Sequence, residues 1–298
     1  MAGTAAVFLL MPNTQAPPTQ AASTVGIVFA MAVEADAFAA LARETMELSA
    51  AGLVFSEGTV AGRRVAWCVA GAGAEAAQRA TRLLIDGHRP RLILSAGFAG
   101  GLDPALVRGT AVSPQQSLTS TGGPPIACTA TGQGSLSTAP DGPSPIGPVP
   151  IGPSSTGIQS SDLAIVSVDH VVATAAAKRA LAAASGASLV DMETYAVATV
   201  AQAAGLKCVS IRVISDDSSQ ELPREIAALI QPQSGMRRLG AALGAIGRRP
   251  RAAVDMWRLW EHAVVDGRTL ARAIETFLEG LAATPSADGR PGSSPDRP

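Results

Sequence analysis

Apolar runs and alternations divide the chain into strands that alternate with helices. Val25–Ala30, VGIVFA, is apolar at nearly every position, as a strand covered on both faces is. Met31–Leu41 continues it as a helix. Arg64–Ala70, RVAWCVA, and Arg91–Ala96, RLILSA, predict two more strands. Between them a helix follows Gly71–Ala76 and runs to about Ile85. Leu163–Val168 is a strand and Ala173–Ala184 an alanine-rich helix. In Leu189–Gln220 a short apolar lead-in precedes a helix over Met192–Ala204, which Gly205 closes. The strand Cys208–Ser215 follows, with Val209, Ile211 and Val213 alternating against Ser210 and Arg212. Farther on, Trp257, Trp260, Val264, Leu270, Ile274 and Leu278 recur at helical spacing in Asp255–Leu281 and predict one or two helices on the sheet. This order implies an α/β fold, a single domain over residues 24–283 with a central twisted mixed sheet flanked by helices.

The pattern lapses in three places. Residues 1–23 and 284–298 read as disordered tails. From Ser113 to Ser161 the sole charged residue is Asp141, and Pro, Gly, Ser and Thr dominate. That stretch reads as a flexible insert without packed structure.

Composition narrows the function. Apolar residues make up 47 % but aromatics only 3 %, so alanine and small aliphatics must fill the core. A net charge of −1 gives no basic face for nucleic acid. No run reaches the roughly 18 apolar residues of a membrane span, and Met1–Ser23 lacks the basic start of a signal peptide. Cys68, Cys128 and Cys208 have no metal-ligand spacing and read as reduced core thiols of a cytoplasmic protein. Neither a metal nor a cofactor is expected.

Three carboxylates stand out from this apolar background. Asp216 lies at the carboxyl end of a strand, where open α/β sheets bind ligands. Glu193 opens the preceding helix and is close enough in sequence to share its pocket. Glu34 lies one turn into the first helix. On the residues alone it reads rather as a solvated first-turn carboxylate favoured by the helix dipole. Gly71–Ala76 imitates a dinucleotide fingerprint, but the next strand ends in Ser95-Ala96-Gly97, without the acid that would hold a ribose diol. Close backbone approach remains a reading for these glycines and for those of Gly97–Leu102.

GIVFAMAVEAD at Gly26–Asp36, AGAGAEAA at Ala70–Ala77, SAGFAGGL at Ser95–Leu102, VDMETYAVA at Val190–Ala198 and IRVISDDSSQ at Ile211–Gln220 occur in fixed order. Together they resemble the motifs of the purine nucleoside phosphorylase/nucleosidase superfamily. The methylthioadenosine/S-adenosylhomocysteine nucleosidase and hopanoid-associated phosphorylase branches are the most similar. The resemblance covers Val25–Val112 and Leu163–Gln220. It implies an N-glycosidase that releases adenine from adenosine-type nucleosides, with a small-molecule substrate and a homodimeric state. Asp216 would protonate the purine N7, and Glu34 would activate the attacking water. Glu193 would accept from the ribose 2′- and 3′-hydroxyls and Met192 would pack on the sugar. Ser215 would orient Asp216, and Arg212 would pair with a nearby carboxylate. Gly97, Phe98 and Val171 complete the substrate-binding set. Phe98 stands where the family often has a serine or cysteine that helps hold the nucleophile, and Val171 and Val172 where an aromatic often stacks on the base. A phosphate-dependent phosphorylase and a nucleoside-binding protein without turnover are the alternatives.

Overall fold

The computed structural model describes residues 24–128, 162–221 and 251–281, with side chains in the last stretch from 261 onward. The two tails lie outside these residues, and so does most of the Pro/Gly/Ser/Thr-rich segment.

The centre of the sheet is β1 (Val25–Phe29), which pairs in parallel with β4 (Arg63–Val69) on one side and β5 (Leu92–Gly101) on the other. Every residue of β1 is buried, because helices cover both faces. Ile27 and Phe29 face one core and Val28 the other, as the period of a strand requires. The first core holds Phe38 of α1 (Ala32–Ala39), Trp67, and Leu270, Ile274, Phe277 and Leu278 of a long C-terminal helix, α5 (Arg251–Gly280). In it Phe38 meets Trp67 edge to face at 5.6 Å and Phe29 in a tilted pair at 5.7 Å. The second core holds Ala77, Ala80 and Leu84 of α2 (Ala74–His88) and Ala196, Val197 and Ala201 of α4 (Thr194–Ala203). Alanine is the contact residue of α2 and α4, which lets them lie close to the strands despite the shortage of aromatics.

Beyond β4 the sheet continues through β3 (Leu53–Val60) to the edge strand β2 (Arg43–Ala50), both antiparallel. The hydrophobic pattern gave no sign of β2, since nearly all its side chains are exposed. Both hairpins turn on an Ala-Gly pair, Ala51-Gly52 and Ala61-Gly62, with positive φ at all four residues. That geometry matches the strand twist in two-residue turns.

β5 is the longest path through the site. Its first part lies between β1 and β11 (Lys207–Asp216), and its last two residues pair with β10 (Leu189–Asp191). β10 leads on to β9 (Ala164–Ser167), β7 (Gln116–Thr119) and β8 (Ile126–Ala127), while β6 (Ala111–Val112) flanks β11. α3 (Ala175–Ser185) connects β9 to β10.

Strands β7 and β8 correct one expectation. The segment from Ser113 was read as a packing-free excursion, yet its first part joins the sheet, and Ser117, Ile126 and Cys128 are buried. Backbone ladder bonds hold it there, and they require neither charge pattern nor long apolar runs.

Candidate active site

Glu34 is 2 % exposed, so the solvated reading does not hold. Its Oε2 accepts from the Ala30 and Met31 amides at 2.9 and 2.8 Å, and its Oε1 from the Phe98 amide at 2.9 Å. The carboxylate thus turns back over the end of β1 and across to β5. Burial pushes its pKa up, against the pull of these three amides and of Arg212. Gly97 leaves the room it needs: a Cβ there would lie 2.7 Å from Glu34 Oε1 and 2.9 Å from an Arg212 nitrogen. Phe98 serves this site through its backbone, while its ring packs against the first core.

Glu193 precedes α4 and accepts from the Gly73 amide at 2.7 Å. Gly73 itself has φ of 101° at the start of α2, so the glycine motif presents a backbone donor to a carboxylate of the protein. Burial first, then the charges of Asp191 and Glu34, raise the Glu193 pKa to about 7, with the Gly73 amide and Arg212 opposing. Glu34 and Glu193 line one cavity with Ser95, Arg212, Ala70 and Val197. Its volume is about 10 Å³, roughly the room of one water.

Arg212 sits between these groups but is committed elsewhere. It donates to Asp191 Oδ2 at 2.9 Å, Ser95 Oγ at 2.7 Å and Thr194 Oγ1 at 2.6 Å. Asp191 also accepts from the Thr194 amide and the Ser167 hydroxyl. This buried hub ties β11, β10, β9 and the start of α4 together. Sequence reading assigned Arg212 a carboxylate partner without naming Asp191, which sits inside the VDMET motif as one more polar residue.

Asp216 ends β11, 7 % exposed. The pairing of β11 with β5 skips Ser215: Ile214 faces Ala99 and Asp216 faces Gly100. Such a bulge re-aims the side chain that follows. Ser215 Oγ donates to Asp216 Oδ1 at 2.6 Å, and Gly100 leaves space beside the carboxylate. Asp216 Oδ2 accepts from Lys178 Nζ at 2.5 Å. Lys178, on α3, is fully buried, and sequence reading missed it. Its one signal was spacing, since 178, 181 and 182 share a helix face and Leu181 and Ala182 pack on the sheet. Below the bulge, Arg108 donates to the Ser215 carbonyl at 3.0 Å and to Asp266 of α5 at 2.7 Å. Burial raises the pKa of Asp266, and Arg108 works against it.

Met192 and Val171 meet in an apolar cluster with Val166, Val168 and Val190 beside β10. Of the expected site residues, Glu34 and Glu193 share the cavity; Asp216 and Ser215 lie at the end of β11, Gly97 and Phe98 within β5, and Met192 and Val171 in the apolar cluster after β10 and β9. Phe98 N, which holds Glu34, and Gly100, which faces Asp216, are two residues apart, on the order of 7 Å along the strand. Among the described residues no group of His, Cys, Asp and Glu is arranged to hold a metal ion, and no helix is long and apolar enough to cross a membrane.

Fold and cluster define an α/β protein with buried carboxylates gathered near the carboxyl ends of its strands, where open α/β sheets bind ligands. The sequence model of the phosphorylase superfamily matches residues 24–241, and the chain belongs to that superfamily. It is 38 % identical over 88 residues to a 5′-methylthioadenosine/S-adenosylhomocysteine nucleosidase of Pseudoalteromonas translucida, a match covering 30 % of this chain and 37 % of the relative. The aligned part thus spans well under half of that relative's length. In three dimensions it is similar to the Campylobacter jejuni 5′-methylthioadenosine/S-adenosylhomocysteine nucleosidase, with TM-score 0.63 and 13 % identity over 87 % of this chain and 100 % of the other. It is also similar to the futalosine hydrolase of Helicobacter pylori, with TM-score 0.58 and 18 % identity over 87 % of this chain and 99 % of the other. At such identities the structural likeness speaks for the fold.

Proposed function

We propose that this protein hydrolyses the N-glycosidic bond of a purine nucleoside of the adenosine type, such as methylthioadenosine or S-adenosylhomocysteine, with water as the nucleophile. The observation that carries this reading is the charge around the cavity. Glu34, Glu193 and Asp191 gather about one guanidinium, Arg212, which Asp191 already engages. A doubly charged phosphate would meet net negative charge there. A water would meet Glu34, a buried carboxylate fit to accept its proton.

In this reaction Glu34 takes a proton as the water oxygen bonds to C1′. The C1′–N9 electron pair departs with the purine, and Asp216 gives a proton to N7. Ribose and neutral purine are the products, and solvent returns both carboxyls to their starting state. Glu193 accepts from the ribose hydroxyls while Met192 and Val171 pack on the nucleoside. The same reading includes a homodimer, which sedimentation would check, and a cytoplasmic setting, which three free buried thiols support.

The test is release of free base from a nucleoside panel in phosphate-free buffer, repeated with millimolar phosphate. Free ribose or methylthioribose without phosphate stimulation is expected. Sugar 1-phosphate, with turnover saturating in phosphate, would make the protein a phosphorylase.

A further inference from the structure

Lys178 is a fully buried ionisable group that the proposed reaction leaves unused and that touches its proton donor. A buried ammonium is costly unless its charge and its donors are all answered. Here they are: Nζ donates to Asp216 Oδ2 at 2.5 Å, to the Asp217 carbonyl at 2.5 Å and to the Gln220 carbonyl at 3.2 Å. An ammonium has three donors, so none is left for a substrate. Lys178 therefore acts on the reaction only through Asp216 and the turn after it. That turn is also pinned from within, because Asp217 Oδ1 accepts from the amides of Ser219 and Gln220.

This contact makes the two oxygens of Asp216 unequal. Oδ2 accepts from a cation, so a proton carried by the carboxyl belongs on Oδ1. Oδ1 lies 2.6 Å from Ser215 Oγ, which donates to it when the carboxyl is ionised and can donate to the Ala99 carbonyl at 3.3 Å instead when Oδ1 carries the proton. We propose that Lys178 is the positioning residue of the proton donor: it ties down Oδ2, reserves Oδ1 as the proton-bearing oxygen, and stabilises the carboxylate left when that proton moves to the base. The inference rests on the hydrolytic reading of the site and names a residue outside the motifs that suggested it.

The other charged groups around Asp216 do not duplicate this role. Asp217, on the following turn, directs its carboxylate into its own turn and to solvent. Asp266 on α5 faces Asp216 electrostatically but is paired with Arg108, with His262 near it on the same helix. On β5 and β10, Gly100 and Val190 lie near the carboxylate and carry no charge.

The experiment compares kcat and KM for purine release by the full-length protein and by Lys178→Met with the same constants for a riboside of 4-nitrophenol, whose leaving group needs no proton. Turnover of the purine nucleoside falls on the order of 10-fold to 100-fold, the scale on which a positioned proton donor acts, with KM within a few-fold. Turnover of the nitrophenyl riboside stays within a few-fold of wild type, because the reaction does not use the proton that Lys178 positions. Should the methionine variant not fold, Lys178→Gln, whose amide keeps two donors, carries the same measurement. Equal losses on the two substrates in a folded variant, or a change in KM alone, would overturn the proposal. If the wild-type protein releases no base from any nucleoside, the hydrolytic reading fails, and the inference is decided by adenine binding. Calorimetry then compares adenine affinity: a loss of about 10-fold in Lys178→Met upholds it, and equal affinities overturn it.

Discussion

The two ends of the site handle carboxylates in opposite ways. At the Glu34 end, Glu34, Glu193 and Asp191 gather about one guanidinium; burial and then the charges of Asp191 and Glu34 raise Glu193 to about 7, and burial raises Glu34. At the Asp216 end, one carboxylate has an ammonium to itself and a bulged serine beside it. The first arrangement raises the proton affinity of its carboxyls. The second fixes one oxygen on a cation and leaves the other beside a serine. On the proposed reaction this difference is what separates base from acid, since environments that differ assign the two roles.

The sharpest way to break this comparison is Asp216→Asn. Turnover is expected to fall roughly 10²–10⁴-fold, the range for a lost general acid. Stability drops as well, by about 3 kcal/mol, because the buried ammonium of Lys178 loses its counter-ion. Near-normal base release from the variant would remove Asp216 from the chemistry. Glu34→Gln is next, with kcat reduced by about 10²-fold or more. Its amide nitrogen must also face a backbone N–H that the carboxylate now accepts from, costing about 1–3 kcal/mol. If base release and the melting temperature both stay at wild-type values, Glu34 does neither job.

Glu193 gives a pH effect on stability. Its pKa is 4.5 unfolded and about 7 folded, so between these values the folded state binds more protons than the unfolded one. Folding stability therefore falls as pH rises from about 4.5 through about 7, by up to roughly 3 kcal/mol. Glu193→Gln should flatten most of that decline in a melting series, with the residue due to Glu34. An unchanged slope would mean that Glu193 is already ionised across the range. The mildest change is Ser215→Ala. It removes the hydroxyl on Asp216 Oδ1 but keeps the bulge, and a loss of about 10-fold in kcat or less is expected from stopped-time base release. A loss as large as that of Asp216→Asn would shift the main role to the serine.

Sequence by itself determined the central layers. VGIVF could only be a doubly buried strand, and the alternation through Val209, Ile211 and Val213 set which side of β11 faces which core. The expected strands and helices of the α/β core are present with ends shifted by a few residues, and Asp255–Leu281 forms a single helix, α5. The order of five motifs was enough to point at Glu34, Glu193 and Asp216 and at the superfamily.

The tertiary structure decided what local pattern does not encode. β2 is an exposed edge whose side chains carry no burial signal, and it is placed by the Ala51-Gly52 turn and its pairing with β3. β7 and β8 are held by ladder bonds to strands distant in sequence. The solvated reading of Glu34 failed because its three amide donors come partly from Phe98, 64 residues away. Lys178 looked like one cation in an alanine helix, and only the approach of α3 to the end of β11 gives it Asp216. Periodicity reports which face of an element is buried. It does not report which two buried charges meet, since that depends on how separate elements are brought together, and at this site the chemistry lies in those meetings.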